Sequence, residues 1–322
     1  MEAPQRLKHY IIGPYPPPLG GVSVFAYRYA RLLRDQGNEV EIVDFAKCSL
    51  PRRAAYLLRF ALDPRYAVFH LNTFSFRIMA TLLFRPFAGK IVFQDHSGRA
   101  VETLKGRNRR AFKLFLAKAD EIVLVGEHII DQYEQQGFPL QPDKVRVQNA
   151  FLPPPADDEP GIWSTYDPET VWFAENHKPL IVANAYKIVF HKDVDLYGLD
   201  MCVDLVAELK NAHPQVGLLF ALAEIGDETY YREINRRIDE LGIRENFHFM
   251  TGQKELWPLL RKSDLMVRPT FSDGYGISIA EALHFGCPAA ASDVCARPEG
   301  TVLFSNRDAR DFLSRCQEVL DR

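Results

Sequence analysis

The stretch from Leu265 to Ser292 constrains the fold of this chain most strongly. The apolar residues 265–267 are typical of the end of a buried strand. A loop containing two glycines follows, and a helical pattern then runs to a stop at Gly286 and Pro288. The small residues 289–292 predict another strand directly after it. Strand, loop, helix and strand in this order predict a βαβ unit, and ligands bind outside the carboxyl ends of such strands.

The loop and the helix after it have the pattern of a phosphate site. Gly274 and Gly276 let the backbone approach an anion, and the first N–H groups of a helix point toward it. Asp273 lies in the loop and Glu281 follows eight positions later, where carboxylates can accept from sugar or ribose hydroxyls. The alternative is a helix capped by Ser272 or Asp273 that exposes Glu281. One apolar face is predicted for this helix, formed by Ile277, Ala280, Leu283 and His284.

Residues 263–300 resemble the nucleotide-sugar site of the family 4 retaining glycosyltransferases, which have the GT-B fold. The family pattern is an acidic residue, seven residues, then Glu, followed by Ala-Leu, Gly, Pro and a small-residue strand. Asp273 stands here in place of the usual Glu, and Glu281 matches the second acid. The resemblance implies that Asp273 contacts sugar hydroxyls and that Glu281 holds the ribose. Further nucleotide-sugar contacts are expected from Arg268, Gly274, Tyr275, Gly276, Ile277 and Ser278.

The alternation of strand and helix patterns extends over both halves of the chain. It predicts an α/β protein with two parallel-sheet, Rossmann-like domains that face a cleft, as in the GT-B fold. The best boundary is the segment 152–160, which holds four prolines and three acids in nine residues. We therefore predict an acceptor-side domain at 1–155 and a nucleotide-sugar-binding domain at 156–322, whose last helix packs back on the first domain.

Composition and charge narrow the function further. The chain has 322 residues, with no run of 18 apolar ones, and its N-terminal segment lacks the apolar core of a signal peptide. The five cysteines have no paired spacing, which favours reduced thiols in the cytoplasm. Residues 1–155 carry a net charge of +8 and the remainder −11. A strongly basic domain indicates an anionic partner on that side.

Two basic amphipathic helices are predicted in the first domain, at 50–61 and 105–118. Between residues 47 and 118 there are 15 basic and 3 acidic side chains. A solvated cationic face is one interpretation. Nucleic acid is disfavoured, because no nucleic-acid motif is present and the other half of the chain is acidic. We favour an anionic membrane surface that carries a lipid-phosphate acceptor, with the protein peripheral at the inner face of the cell membrane.

The first domain holds two more candidate features. Gly20 and Gly21 form a predicted flexible turn between the first strand and a helix with an apolar stripe of Val22, Phe25, Tyr29 and Leu32, together with Leu33. The resemblance implies that this turn faces the donor diphosphate. His96 follows a strand, and the family has a histidine near the donor sugar at the corresponding strand end. A purely structural role is the alternative for His96, and His70 is expected to be structural.

Cations are predicted in a loop after the strand at 180–184. Lys187 and Lys192 there could neutralise a diphosphate leaving group, although both could equally be solvated loop lysines. The family places a Lys where Tyr197 stands, so these two would be substitutes by proximity. For Arg268 a structural ion pair is the alternative to ligand binding. The Asp193-Val194-Asp195 sequence is interpreted as a loop or helix cap, and no metal site is predicted.

Together with these observations, the family resemblance implies a retaining glycosyltransferase that uses a nucleotide-diphosphate sugar, UDP-sugar before GDP-sugar. Its acceptor would be a glycan or lipid-linked intermediate of surface polysaccharide synthesis, and neither a metal nor another cofactor is expected. Catalytic roles are predicted for His96, Asp273, Lys187 and Lys192. Two alternatives remain: a sugar-nucleotide 2-epimerase, and a non-catalytic scaffold subunit related to glycosyltransferases.

Overall fold

The computed structural model describes residues 7–322, and the first six residues of the N-terminal segment lie outside it. The chain divides into a first unit that ends at Leu152 and a second unit, Pro153–Arg322. The predicted boundary at 155/156 lies three residues beyond this division. The proline-rich segment is not wholly irregular, because a single 3₁₀ turn at Ala156–Asp158 leads into a short helix.

The first unit contains one six-stranded parallel sheet in the order β2-β1-β3-β4-β5-β6. Its strands are β1 (Lys8–Ile12), β2 (Glu39–Val43), β3 (Ala67–Leu71), β4 (Lys90–Asp95), β5 (Glu121–Leu124) and β6 (Val145–Val147). All residues of β1 and β3 are buried, as expected for central strands that helices cover on both faces. Chain order reverses between β1 and β3, and this is where such sheets bind ligands.

Six helices connect these strands. They are α1 (Gly21–Asp35), α2 (Leu50–Leu62), α3 (Phe76–Leu83), α4 (Arg99–Thr103), α5 (Gly106–Lys118) and α6 (His128–Gln135). The predicted stripe of α1 is only partly right, because Leu32 is 40% exposed. Leu33 packs with Ile11 of β1 as predicted, and so do Ala26 and Ala30, which the prediction left out. The two alanines let this helix approach the sheet closely, which an analysis of large apolar residues overlooks.

The second unit contains another six-stranded parallel sheet, in the order β11-β10-β7-β12-β13-β14. Its strands are β7 (Leu180–Ile188), β10 (Gly217–Gly226), β11 (Phe247–Thr251), β12 (Leu265–Arg268), β13 (Ala289–Ser292) and β14 (Val302–Phe304). A separate antiparallel hairpin consists of β8 (Phe190–His191) and β9 (Val194–Asp195). This is the Rossmann strand order, and it reverses between β7 and β12.

Seven helices belong to the second unit. They are α7 (Glu159–Trp163), α8 (Pro168–Asn176), α9 (Leu199–Leu209), α10 (Glu228–Glu240), α11 (Trp257–Leu260), α12 (Ile277–His284) and α13 (Ala309–Leu320). The last helix was predicted to pack back on the first domain. Its apolar residues Phe312, Cys316 and Val319 lie in the core of the second unit, where Phe312 packs against Phe304 of β14. Packing of this helix on the first domain stays a prediction.

Within residues 7–322, none of the helices combines the length and the apolar character needed to cross a membrane. The predicted architecture of two parallel-sheet α/β units is confirmed, and β13 has the bounds that the sequence predicts.

Candidate active site

The candidate site of the second unit lies where the carboxyl end of β12 meets the middle of β7, at the reversal of the strand order. Arg268 is the last residue of β12. Its Nη1 donates to Oδ1 of Asn184 in β7 at 3.2 Å. Side chains from the two strands on either side of the reversal therefore meet at this edge, which is where open α/β sheets bind their ligands.

The Asp273 carboxylate lies between two arginines. Its Oδ2 accepts hydrogen bonds from Arg268 Nε at 2.5 Å and from Arg297 Nη1 at 2.7 Å. Its Oδ1 accepts a hydrogen bond from the Gly274 amide at 2.9 Å. Burial alone raises the pKa of the Asp273 carboxyl, but the charges of Arg268 and Arg297 outweigh burial and hold it well below its usual range. Asp273 is therefore ionised and paired, and the structural ion pair allowed for Arg268 is present.

Arg297 is a residue that sequence reasoning missed. Its side chain is 1% exposed. Nε donates to the Ser292 carbonyl at 3.0 Å, and Nη2 donates to the hydroxyls of Thr270 at 3.0 Å and Ser292 at 3.1 Å. Arg297 thus ties the acidic loop to the end of β13. The only local signal is an arginine five positions beyond a small-residue strand, and nothing in that spacing points to Asp273.

The acidic loop passes into α12 through a glycine that the geometry requires. Gly276 is the N-cap residue, with a left-handed φ of 89°, and a Cβ atom there would lie 2.9 Å from Arg297 Nη1. No side chain caps the helix. The Ser278 hydroxyl lies 3.4 Å from Arg268 Nη1. The helix start thus combines N–H groups without a side-chain cap and an adjacent cation, as expected for an anion site.

The predicted apolar face of α12 is only partly right, because Ala280 is buried and Leu283 packs against the core. His284 is exposed, and Ile277 and Leu283 are only partly buried. The residues that the second unit encloses are consecutive: Ser278, Ile279, Ala280, Glu281 and Ala282. The helix is surrounded on several sides, because it packs between α11 and the strands β12 and β13. Glu281 is 7% exposed, and its role with ribose stays a prediction.

The predicted cationic loop is largely a strand. Lys187 lies within β7, opposite Glu224 of β10, and its ammonium lies 5.6 Å from the ring centre of Tyr186. Lys192 stands in the exposed turn of the β8–β9 hairpin, with a left-handed φ of 51°. The prediction of a loop directly after residue 184 is wrong, because β7 continues past Asn184 by pairing with β10. The leaving-group role of both lysines stays a prediction.

Asp195 of the Asp193-Val194-Asp195 sequence accepts hydrogen bonds from the first amides of α9, which agrees with the predicted helix cap. Asp195 is 5% exposed, and its carboxylate accepts from the amides of Tyr197 at 3.0 Å and Leu199 at 2.7 Å. Asp193 lies in the exposed hairpin turn. Among residues 7–322, no group of three or more His, Cys, Asp or Glu side chains is placed to hold a metal ion.

His96 lies at the carboxyl edge of the first unit's sheet, directly after β4. Its Nε2 is 2.9 Å from Oδ1 of Asn72, which follows β3, and its ring packs edge-on against Phe25. Burial lowers the pKa of His96 to about 4. His96 Nδ1 and Asn72 Nδ2 are buried and have no hydrogen-bond partner among the described residues. Asn72 was not predicted, and its only signal is its position at a strand end.

The Gly20–Gly21 turn is not the flexible segment that was expected. Gly20 is an extended N-cap residue with φ −158°, and Gly21 is the first residue of α1. The Gly20 amide donates to the Ser23 hydroxyl at 2.9 Å, and that hydroxyl donates to the Pro18 carbonyl at 2.7 Å. Ser23 therefore fixes the turn, while contact of the Gly20–Gly21 turn with a diphosphate stays a prediction.

His70 is buried beside His9, with 3.0 Å between ring nitrogens, as expected for a structural histidine.

The part of the second unit that contains the candidate site is similar to known proteins. Residues 174–305 match the family model described as glycosyl transferases group 1. The matched residues lie within the second unit, Pro153–Arg322. Arg268, Asp273, Gly276 and Glu281 all lie within the matched residues.

Two curated proteins are similar over shorter stretches. Lipopolysaccharide glucosyltransferase WaaG of Escherichia coli is 29% identical over 98 residues, which are 30% of this chain and 25% of that protein. Lipopolysaccharide core biosynthesis mannosyltransferase LpsB of Rhizobium meliloti is 28% identical over 103 residues, 32% of this chain and 29% of that protein. The matches thus span little more than a quarter of these relatives.

The fold comparison extends over nearly the whole chain. The crystal structure of Anabaena Alr3699/HepE in complex with UDP has a TM-score of 0.67 and 15% sequence identity, and the match covers 98% of this chain and 90% of that one. At this identity the likeness shows the fold, and it confirms the predicted GT-B fold class.

Proposed function

We propose that the protein is a family 4 retaining glycosyltransferase that transfers a sugar from a nucleotide-diphosphate sugar to a glycan or lipid-linked acceptor. UDP-sugar is the first donor class and GDP-sugar the second. The named relatives act on lipopolysaccharide, which supports an acceptor in surface polysaccharide synthesis. The HepE structure contains UDP, which supports the donor order.

The observation that carries the proposal is the position of Arg268 at the start of α12, inside the matched glycosyltransferase domain. In the reaction, the bond between the anomeric carbon and the diphosphate breaks, a bond to an acceptor oxygen forms, and the proton of the acceptor hydroxyl passes to the departing diphosphate. The leaving diphosphate carries the developing negative charge. A guanidinium beside helix N–H groups stabilises that charge without needing a metal ion.

The remaining predicted residues have roles in the same proposal. Glu281 holds the ribose, and the backbone from Gly274 to Ser278 surrounds the diphosphate. His96 with an unprotonated Nδ1 accepts a hydrogen bond from a sugar hydroxyl, and Gly20–Gly21 contributes backbone contacts. No protein nucleophile is assigned, so orientation and leaving-group stabilisation supply most of the rate.

Turnover tests this proposal. The protein is incubated with UDP- and GDP-sugars and a panel of lipid-linked and oligosaccharide acceptors, with and without EDTA. We expect acceptor-dependent release of the nucleoside diphosphate in EDTA, and an NMR spectrum of the product with the donor's anomeric configuration. A product of inverted configuration, or turnover that needs a divalent ion, would contradict the mechanism.

A non-catalytic subunit is the second candidate function. The observations that favour it are the pairing of Asp273 with two arginines and the placement of Lys187 inside a strand. Both side chains had catalytic roles in the sequence-based prediction, and both lie next to charged partners of the second unit itself: Asp273 beside the two arginines, and Lys187 opposite Glu224. Nucleotide binding without turnover of any donor across the whole acceptor panel would select this candidate.

We also propose that the first unit binds an anionic membrane surface at the inner face of the cell membrane. α3 packs against both basic helices, α2 and α5. Leu50, Leu58 and Leu62 of α2 are 71%, 61% and 59% exposed, and Leu114 of α5 is 60% exposed. Exposed cations on these two helices accompany the leucines: Arg52, Arg107, Arg110 and Lys113. Apolar side chains among cations suit the boundary between headgroups and acyl chains.

Vesicle flotation tests the membrane proposal. The protein should float with vesicles that contain phosphatidylglycerol and remain below vesicles of phosphatidylcholine alone. Replacing Leu58 and Leu62 by Ser should reduce flotation, whereas Leu241→Ser, at an exposed site of the second unit, should not. Equal flotation with both lipids, or no effect of the α2 changes, would contradict it.

A further inference from the structure

The Asp273 carboxylate has little capacity left for a sugar. A carboxylate offers about four acceptor positions. Oδ2 accepts from Arg268 and Arg297, and the Thr270 hydroxyl lies 3.5 Å from it. Oδ1 accepts from the Gly274 amide. The Asp273 side chain is 13% exposed. Its neighbours are therefore the protein's own donors.

Arg268 and Arg297 differ in how many of their guanidinium nitrogens already donate to protein oxygens. Arg297 is enclosed, and each of its three guanidinium nitrogens donates to a protein oxygen. Arg268 donates through Nε to Asp273 and through Nη1 to Asn184 and Ser278. None of the hydrogen bonds that Arg268 makes within residues 7–322 uses its Nη2, and 12% of its side chain is exposed. Arg268 is therefore held on two nitrogens and can donate from the third.

The charges of Asp273, Arg268 and Arg297 also indicate that Arg268 is the cation available to a ligand. One carboxylate between two guanidinium groups leaves one positive charge over. Because Arg297 is 1% exposed, a ligand at the helix start meets that charge on Arg268. The Tyr197 ring lies 5.9 Å from the Arg268 guanidinium, at the position where the resembled family has a lysine.

We propose that Asp273 and Arg297 are positioning residues that aim Arg268 at the donor's diphosphate, and that Asp273 does not contact the transferred sugar. This inference rests on the proposed function, since it assigns the cation of the same site. It moves the diphosphate contact from the end of β7, where Lys187 and Lys192 were expected, to the end of β12.

Nucleotide binding separates the two roles of Asp273, because a nucleoside diphosphate lacks the sugar. The measurement is calorimetric titration of each variant with the nucleoside diphosphate that the unaltered protein binds, and with the corresponding nucleotide sugar. If Asp273 is a positioning residue, its replacement weakens the binding of both ligands by the same factor. If Asp273 contacts the sugar, its replacement weakens only the binding of the nucleotide sugar.

Arg268→Gln should weaken both ligands by about 10- to 100-fold, because a charge-assisted contact to phosphate is lost. Asp273→Asn should weaken both equally, and the double variant should be no weaker than Arg268→Gln alone. Asn184→Ala should weaken both by a smaller, equal factor. Asp204→Asn is the matched control, since it removes an acid paired with Arg237 on the exposed surface of the same unit.

Two results would overturn the inference alone. One is unchanged binding of both ligands by Arg268→Gln. The other is loss of nucleotide-sugar binding in Asp273→Asn with unchanged binding of the nucleoside diphosphate. If Asp273→Asn does not fold, Arg268→Gln and Asn184→Ala decide, because both keep an arginine paired with Asp273. An unaltered protein that binds no nucleotide would overturn the proposed function together with this inference.

Discussion

His96 and Asn72 meet at the carboxyl ends of two neighbouring strands, with 2.9 Å between His96 Nε2 and Asn72 Oδ1. Because an amide oxygen only accepts, Nε2 carries the proton and Nδ1 is left as an acceptor. Nδ1 is buried and makes no hydrogen bond within residues 7–322. Asn72 thus fixes the tautomer that the proposed contact with a sugar hydroxyl requires.

The same pair predicts how stability depends on pH. Burial lowers the pKa of His96 to about 4, below the ordinary value of 6.5. As pH falls from 6.5 to 4, the unfolded chain therefore takes up a proton that the folded protein excludes, and the free energy of unfolding falls by up to about 1.4 kcal/mol per pH unit. His70, whose pKa burial lowers to about 3, acts in the same direction.

Urea denaturation at several pH values between 4 and 7 checks this dependence. His96→Leu should flatten the slope by nearly one proton over this range. A slope that is the same in His96→Leu and the unaltered protein would show that His96 is protonated in the folded state.

Glu281 should be needed for turnover. Its replacement by Ala removes the proposed ribose acceptor, and the loss of a hydrogen bond to a charged group predicts a fall in kcat/KM of about 10- to 100-fold. Glu281→Gln keeps the side-chain volume and separates this effect from packing. Glu240→Ala, in an exposed ion pair with Arg236, is the control. Turnover of Glu281→Ala at the control's rate would remove Glu281 from the site.

Arg297 should contribute strongly to stability. Arg297→Met removes the enclosed partner of Asp273, and breaking a buried ion pair costs about 3–5 kcal/mol of unfolding free energy. Arg236→Met breaks an exposed pair on α10 and should change stability by less than about 1 kcal/mol. Denaturant titration of the two variants compares them. Equal stability would mean that Arg297 is not the structural tie that its contacts indicate.

Gly276 and Gly286 form a matched pair for testing the turn into α12. Both have left-handed φ values, 89° and 78°. A Cβ atom at position 276 would lie 2.9 Å from Arg297 Nη1, whereas a Cβ atom at position 286 would have no atom within 4 Å. Both Ala variants should lose about 1 kcal/mol or more through backbone strain. Gly276→Ala should lose more and should also weaken nucleotide binding. Equal effects of the two variants on thermal stability and on binding would argue against a tight contact with Arg297.

Local sequence patterns predicted the alternating strands and helices, because buried parallel strands and helix stops leave strong local signals. β13 was predicted in full. β7 was ended too early, because polar and charged residues after Asn184 interrupt its apolar run, while pairing with β10 carries the strand to Ile188. The pairing partner is not visible in the local sequence.

The candidate site could be located from the sequence but not assembled. The loop and helix from Asp273 to Glu281 were recognised, since glycine spacing and a helix stop are local. The contact of Asp273 with Arg297 joins residues 24 positions apart, and it depends on how β13 lies beside β12. That contact turns an expected sugar ligand into the partner of two arginines.

Titration of the unaltered protein with UDP, GDP and ADP, with and without EDTA, tests the central claim most directly. The proposed metal-independent nucleotide-sugar site predicts saturable binding of one nucleoside diphosphate, UDP before GDP, with the same affinity in EDTA. Binding that disappears in EDTA would contradict the metal-independent site. Binding of none of the three would contradict the nucleotide-sugar site itself.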